Sequence, residues 1–455
     1  MLGFSSMITR RQFGLGLASM AFSGLAASSL GKKALALENI QTVYGPLKAD
    51  PQKLLDLPAG FSYKVISQLG DMMSDNFAVP DRADGMGCIS LANNRVALIR
   101  NHELQPKHLD RQPQSIQTHK TTKAYDQLNN GVALPGGTST IIYNLQTQQK
   151  EREFLTLVGT IRNCAGGITP WGTWLTCEES VVRSGSEVNQ DHGYIFEVPA
   201  NATGLIDPVP LKQMGRFNHE AAAVDPKTGI VYLTEDRGDS LFYRFVPNVY
   251  GQLAKGGSLQ ALVIKKHKQF DTRNWSKATM PVGQWYEAEW IKIENPESPE
   301  DDLRKQGYQK GAALFARGEG IHWGNGELYF CCTNGGEKQF GQIMRYQPSV
   351  VEGMAEEQQS PGQIQLFFES YDKSAYNFGD NLTVMPNGHL LVCEDQYTDI
   401  VDNHLRGITP QGQVYDFARL HEQTELAGTC FSPDGRTLFV NVYSPAKTLV
   451  ITGPW

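Results

Sequence analysis

The 455-residue chain carries 41 Lys and Arg against 48 Asp and Glu, a formal net charge of −7. That balance argues against a stable nucleic-acid partner, which needs a basic face, and suits a protein that holds cations. Apolar residues make up 40% and charged residues 20%, the mix of a globular chain with room for two or three average domains or one large repeat-built all-β domain.

The first element is an address. Thr9-Arg10-Arg11-Gln12-Phe13 is a twin-arginine pattern, followed by an apolar stretch from Gly14 to Leu30 and then Lys32, Lys33 and the small-x-small run Ala34-Leu35-Ala36. Residues 1–36 therefore read as a signal peptide for the twin-arginine export machinery, which implies a periplasmic or extracellular protein. The stretch is short and rich in Gly, Ala and Ser, and no other segment is apolar enough to span a bilayer, so the mature chain is expected to have no membrane span. Residues 37–455 are left as a single domain.

From Asp84 onward one pattern recurs. Units begin at Asp84, Cys164, Glu220, Glu319, Asp380 and Glu425. Each opens with a polar residue and a short run of small or apolar residues. A turn follows, such as Asp225-Pro226-Lys227-Thr228-Gly229 or Pro386-Asn387-Gly388, in which Pro fixes φ and Gly supplies a positive one. Next comes a strand such as IVYLT or HLLVC that ends in a second polar cluster, and often a third strand such as GYIFEV, LFYRF or QIMRY. About six copies of such a meander predict an all-β fold, a β-propeller of about six blades. Residues 104–135, polar and Gln-rich, and residues 250–312 read as insertions between blades. In the second, Ser298 is expected to cap a helix with Pro299 at its first position.

In a propeller, equivalent residues of different blades converge on the channel. Asp84, Cys164, Glu220, Glu319 and Asp380 are predicted on innermost strands. Glu103, Glu179, Glu235, Asn334 and Glu394 are predicted to close the next strand and form a second ring, with Asn381 and Asp395 beside it. Carboxylates gathered there cannot all stay ionised without compensating positive charge. Bound metal is the simplest source: oxygen ligands suit calcium, whereas a single thiolate suits a softer, redox-capable ion such as iron. Arg317 is the candidate for an anionic substrate, since guanidinium matches phosphate or carboxylate oxygens, with a salt bridge to a neighbouring carboxylate as the alternative. His219 and His322 read as structural, and Trp171, Trp174 and Trp323 as inter-blade core. Seven cysteines include no zinc-type spacing, and all but Cys164 read as buried, inert thiols. Metal-assisted hydrolysis or oxidation follows from the residues alone. A calcium-dependent lactonase or phosphotriesterase-type propeller, and a non-catalytic calcium-stabilised binding propeller, are the alternatives.

The segments NCAGGITPWGTWLTCEE, RFNHEAA, ARGEGIHW, DNLTVMPNGHLLVCED and AGTCFSPDGRTLFVNVYSP resemble the PhoX-type alkaline phosphatases, from about Asp84 to the C-terminus, and the leader matches as well. The resemblance implies an exported alkaline phosphatase acting on small phosphate monoesters. It implies an iron–calcium site (Fe3+ and Ca2+) in which the thiolate of Cys164 bridges two ferric ions. Glu179, Glu220, Glu319 and the acids near Asp380 and Glu394 would be metal ligands. Arg317 would hold phosphate, making Arg317, Cys164, Glu220 and Glu319 the catalytic set. The chain is shorter than typical members, which carry larger insertions.

Overall fold

The computed structural model describes residues 43–396 and 398–455; the leader expected at residues 1–36 lies outside the described residues. The architecture is a ring of six innermost strands: Ala83–Leu91, Asn163–Ile168, His219–Val224, Gly318–Gly324, Gly379–Val384 and Leu426–Phe431. Each neighbours the next around the ring, and the last neighbours the first. Each pairs antiparallel with the strand that follows it, and that strand with a third.

The turns between first and second strands form as their residues dictate. Asp225 accepts the Lys227 amide at 2.8 Å and the Thr228 hydroxyl at 2.7 Å, while Gly229 takes φ 74°. Gly388 and Gly435 play the same part at φ 84° and 70°. These turns all lie at one end of the ring, which leaves the unit-opening polar residues at the other.

The blades are not six separate sheets. Trp285–Lys292 pairs with Gly257–Ile264 on one side and Gln363–Glu369 on the other, fusing the third and fourth units into a nine-stranded sheet, so the hydrogen-bonded sheets among the described residues number five. Residues 250–312 are therefore not simply an insertion, because Gly257–Ile264 is the fourth strand of the third blade. The helix within this stretch is Leu303–Lys310, with Asp302 rather than Ser298 at its N-cap and Gly311 in the left-handed conformation past its end. Ser298 instead makes a local turn, accepting the Glu300 amide at 3.4 Å. The ring closes through Ser62–Gln68, which pairs with Lys447–Thr452 as the outer strand of the sixth blade.

Every innermost strand carries a register shift near its start: after Ala83, Asn163, His219, Gly318, Gly379 and Ala427. A bulge bends a strand and re-aims a side chain, and it leaves ladder groups unpaired. Side chains of neighbouring blades take up some of those groups: Asn101 donates to the Cys164 carbonyl at 3.1 Å, Thr234 to that of Glu319 at 2.6 Å and Asn441 to that of Asp84 at 2.6 Å. Cys177, Cys331 and Cys393 occupy the same place in the remaining blades. Every cysteine is free, so Cys164 and Cys177 form no disulfide.

The 104–135 segment folds as a 3-10 turn, Pro106–Arg111, and one short helix, Gln114–Gln117. Its far end is pinned to the second blade by His192, which lies between Glu178 at 2.6 Å and Asp126 at 3.3 Å, fully buried. Burial opposes charge on the imidazole, but Glu178 and Asp126 outweigh it and push His192 up to about 9 from its ordinary 6.5. A folded-state value above the unfolded one favours folding in full below about pH 6.5, and that contribution is lost as pH rises through about 9. Between pH 6.5 and 9 we expect wild-type stability to urea to fall more steeply than that of His192→Gln, by on the order of 3 kcal/mol. Equal slopes would exclude the buried ion pair.

Candidate metal centre

The bulges turn one residue of each of five blades into a chamber of about 320 Å³ at one end of the channel: Asp84, Cys164, Glu220, Glu319 and Asp380. In each blade this is the second residue of the innermost strand. The sixth blade breaks the rule. Matching backbone bonds (Tyr443 amide to Glu425 carbonyl, as Glu103 to Arg82 and Glu179 to Arg162) put Ala427 in that slot. The sixth blade's donor comes instead from Glu425, two residues earlier, which also lines the chamber.

A second ring surrounds the first. It is made by residues just past the ends of second strands: Glu103, Glu179, Asp236 and Asp395, with Tyr443 from the sixth blade. Donor atoms from the two rings gather in three sets, each within 4.8 Å: Cys164, Glu179 and Glu220; Glu220, Glu319 and Asp380; and Asp380, Asp395 and Glu425. Glu220 and Asp380 are shared, so the sets form one continuous arc from the second blade to the sixth. Asp84 lines the chamber beside this arc.

The electrostatics of the bare chamber are unfavourable. Burial, and then the facing carboxylates, hold Asp84, Glu220 and Glu425 well above the usual carboxylate range. Glu179 and Glu319 are raised too, although Arg162 and Arg317 oppose the shift. Asp380 is pushed up to about 7 by burial and Asp395. Burial and Glu220 drive the Cys164 thiol up as well. Cations among these groups would remove the penalty, and the donor set fits that role: hard oxygens throughout, and one sulfur.

Arg317 faces Asp236 through Nε at 2.7 Å and Nη2 at 3.0 Å, and Nη2 also reaches Glu319 at 3.1 Å. It is thus both a salt-bridge partner and a chamber wall. Two arginines missed in the sequence reading share its place: Arg82 and Arg162 stand two residues before Asp84 and Cys164, as Arg317 does before Glu319. The repeat Arg-x-Asp, Arg-x-Cys, Arg-x-Glu was visible and would have found them.

Three expected ligands are not in the chamber. Successive residues of a strand point to opposite faces, and in the pairs Glu235-Asp236 and Glu394-Asp395 it is the second that faces the channel. Glu235 is buried against Tyr243, whose hydroxyl donates to it at 2.9 Å, with Arg304 at 3.7 Å. Glu394 accepts the amides of Asn377 at 2.9 Å and His404 at 3.1 Å and the Arg406 Nε at 2.9 Å. Asn381 donates to Asp380 at 2.9 Å and accepts the Gly428 amide at 2.8 Å, orienting a ligand candidate rather than acting as one. Asn334 also lies off the chamber, its carbonyl accepting the Trp275 indole at 2.6 Å. His219 is buried, bonded to the Gly215 carbonyl at 2.9 Å and held down at about 3 by burial. His322, Trp174 and Trp323 line the opposite, apolar end of the channel.

The two members of an adjacent acid pair should therefore respond differently to loss of charge. Asp236→Asn is expected to lower kcat/KM about a hundredfold by releasing Arg317. Glu235→Gln is expected to lower stability by about 1–3 kcal/mol with turnover little changed. Steady-state kinetics paired with urea unfolding reads both, and the reverse pattern would refute the assignment of faces.

The family model described as alkaline phosphatase PhoX matches residues 42–446. A solved structure of Pseudomonas fluorescens PhoX in complex with vanadate, a transition state analogue, is 18% identical, covers 88% of this chain and 96% of its own, and superposes with a TM-score of 0.65. A gluconolactonase from Xanthomonas campestris is more remote, at 10% identity and a TM-score of 0.40 over 90% of this chain and 98% of its own. A comparison with curated protein sequences returns no match. With the family model spanning nearly all of the described residues, the chain belongs to the PhoX family of alkaline phosphatases and is a phosphatase.

Proposed function

We propose that the protein hydrolyses small phosphate monoesters outside the cytoplasm, using iron and calcium held along the carboxylate arc. The observation that carries this reading is the single thiol in an otherwise all-oxygen donor set: Cys164 takes the slot that acids fill in four other blades. Cys164, Glu179 and Glu220 would hold the iron end. Glu319, Asp380, Asp395 and Glu425 would hold calcium, with Asp84 and Glu103 completing the wall. When bound, such cations neutralise the carboxylates and draw charge from the phosphoryl oxygens.

The remaining chemistry belongs to the chain. Asp236 fixes the Arg317 guanidinium through two nitrogens, so its donors are oriented before a phosphate arrives. Such preorganisation favours the developing negative charge of phosphoryl transfer without reorganisation. The vanadate complex of the Pseudomonas fluorescens relative agrees with this class of reaction. The twin-arginine leader supports export. That route carries folded proteins, which suits a chain loaded with metal before it leaves the cytoplasm.

A calcium-only lactonase has no use for a thiolate, so Cys164 discriminates. Purified protein should contain both iron and calcium by elemental analysis and show a visible thiolate-to-iron band. Cys164→Ser should lose the band and more than about a hundredfold in p-nitrophenyl phosphate turnover, beyond the 10–100-fold typical of groups that only support a ligand. A fully active Cys164→Ser would refute the iron assignment. Calcium chelation should abolish turnover, and re-addition should restore it.

A further inference from the structure

The arginines repeat with the blades. Arg82, Arg162 and Arg317 each stand two residues before a chamber residue. Each adopts a left-handed backbone, at φ 54°, 49° and 48°, a conformation unusual for a side chain of this size. Each reaches the residue just past the second strand of the preceding blade. Arg317 meets Asp236, Arg162 meets Glu103 at 2.7 Å, and Arg82 meets the Tyr443 hydroxyl at 2.5 Å. One local geometry is thus used three times to aim a guanidinium toward the channel.

Arg317 serves the metal arc. Arg162 lies on another part of the same chamber wall. Its Nε engages Glu103 and its Nη2 engages Glu179, while its Nη1 has no hydrogen-bond partner among the described residues. About a third of its side chain is exposed, at 31%. Arg82 stands one contact behind, with Tyr443 and Glu103 between it and the chamber. The 3-10 turn Pro106–Arg111 adds exposed Lys107 and Arg111 on this side. Burial, and then the charges of Arg82 and Lys107, hold His108 in this turn below the ordinary imidazole range. The acids facing them are Glu103, Glu179, Asp84 and Asp110. Of these, only Glu179 belongs to a three-donor metal set.

We infer that Arg162, backed by Arg82 and Lys107, forms a second anion subsite, and that the preferred substrates are phosphate monoesters bearing another anionic group remote from the ester. The inference rests on the phosphatase reading and deepens it. Arg317 takes the phosphoryl group to be cleaved; Arg162 takes a carboxylate or second phosphate and orients the ester. The spare Nη1 is the donor available for this contact, and the basic rim draws in the more highly charged ester.

A matched pair tests it. 3-Phosphoglycerate and glycerol 3-phosphate share a skeleton and differ by a carboxylate in place of a hydroxymethyl group. For metal-loaded enzyme at low salt, the ratio of their kcat/KM values, and of their affinities by calorimetry, should favour 3-phosphoglycerate by about tenfold, the scale of one charge-assisted hydrogen bond. Arg162→Gln should bring both ratios close to one, whatever it does to the turnover the two esters share. Arg82→Gln should lower them part of the way, and it carries the test if Arg162→Gln does not fold. Ratios near one in the wild type, or wild-type ratios in the variants, would overturn the subsite. Equal turnover of both esters would remove the subsite and leave the phosphatase reading standing. Preferential binding without turnover would leave the subsite standing and remove the hydrolytic reading.

Discussion

Mutual repulsion among buried carboxylates is the constraint around which this protein is organised. Asp84, Glu179, Glu220, Glu319, Asp380 and Glu425 share one chamber, and burial and proximity oppose ionisation of each. No arrangement of hydrophobic packing relieves that cost; only positive charge does. Arg162 and Arg317 supply part of it, and cations along the arc from Cys164 to Glu425 would supply the rest. The chamber is thus a site whose own stability argues for an occupant.

The propeller makes such crowding possible because it concentrates mistakes as well as functions. A single bulge, repeated at the start of six innermost strands, turns one side chain per blade inward. What would be a local defect in an isolated sheet becomes, by repetition, a ring of donors. Stitching residues on second strands stabilise the arrangement by donating to the exposed carbonyls of the next blade, as Asn101, Thr234 and Asn441 do.

Much of this could be read from the residues because the repeat imposes it. The Asp-Pro-x-x-Gly and Pro-Asn-Gly turns mark strand pairs, and the unit openings Asp84, Cys164, Glu220, Glu319 and Asp380 all reach the chamber. Cys164 lines the chamber, whereas Cys177 lies on the neighbouring strand away from it. The expected ligands that miss the chamber have one physical source, strand parity. Whether Glu235 or Asp236 faces the channel depends on where the second strand ends, and that is set by its register against the bulged innermost strand. The same holds for Glu394 and Asp395. Glu425 was recognised as a unit opening, but its displacement by two residues, with Ala427 in the slot, leaves no local trace. The bridging strand Trp285–Lys292 is likewise a consequence of two blades lying side by side, not of its own composition.

The ring is fastened by Ser62–Gln68 against Lys447–Thr452, and the arc of donors runs as far as Glu425. During synthesis the early blades emerge with half a chamber, and their fastening strand waits beside them for a partner not yet made. Two of the three donor sets lie wholly on the second to fifth blades, so they are complete before the circle shuts, whereas the set of Asp380, Asp395 and Glu425 exists only once the final blade is released.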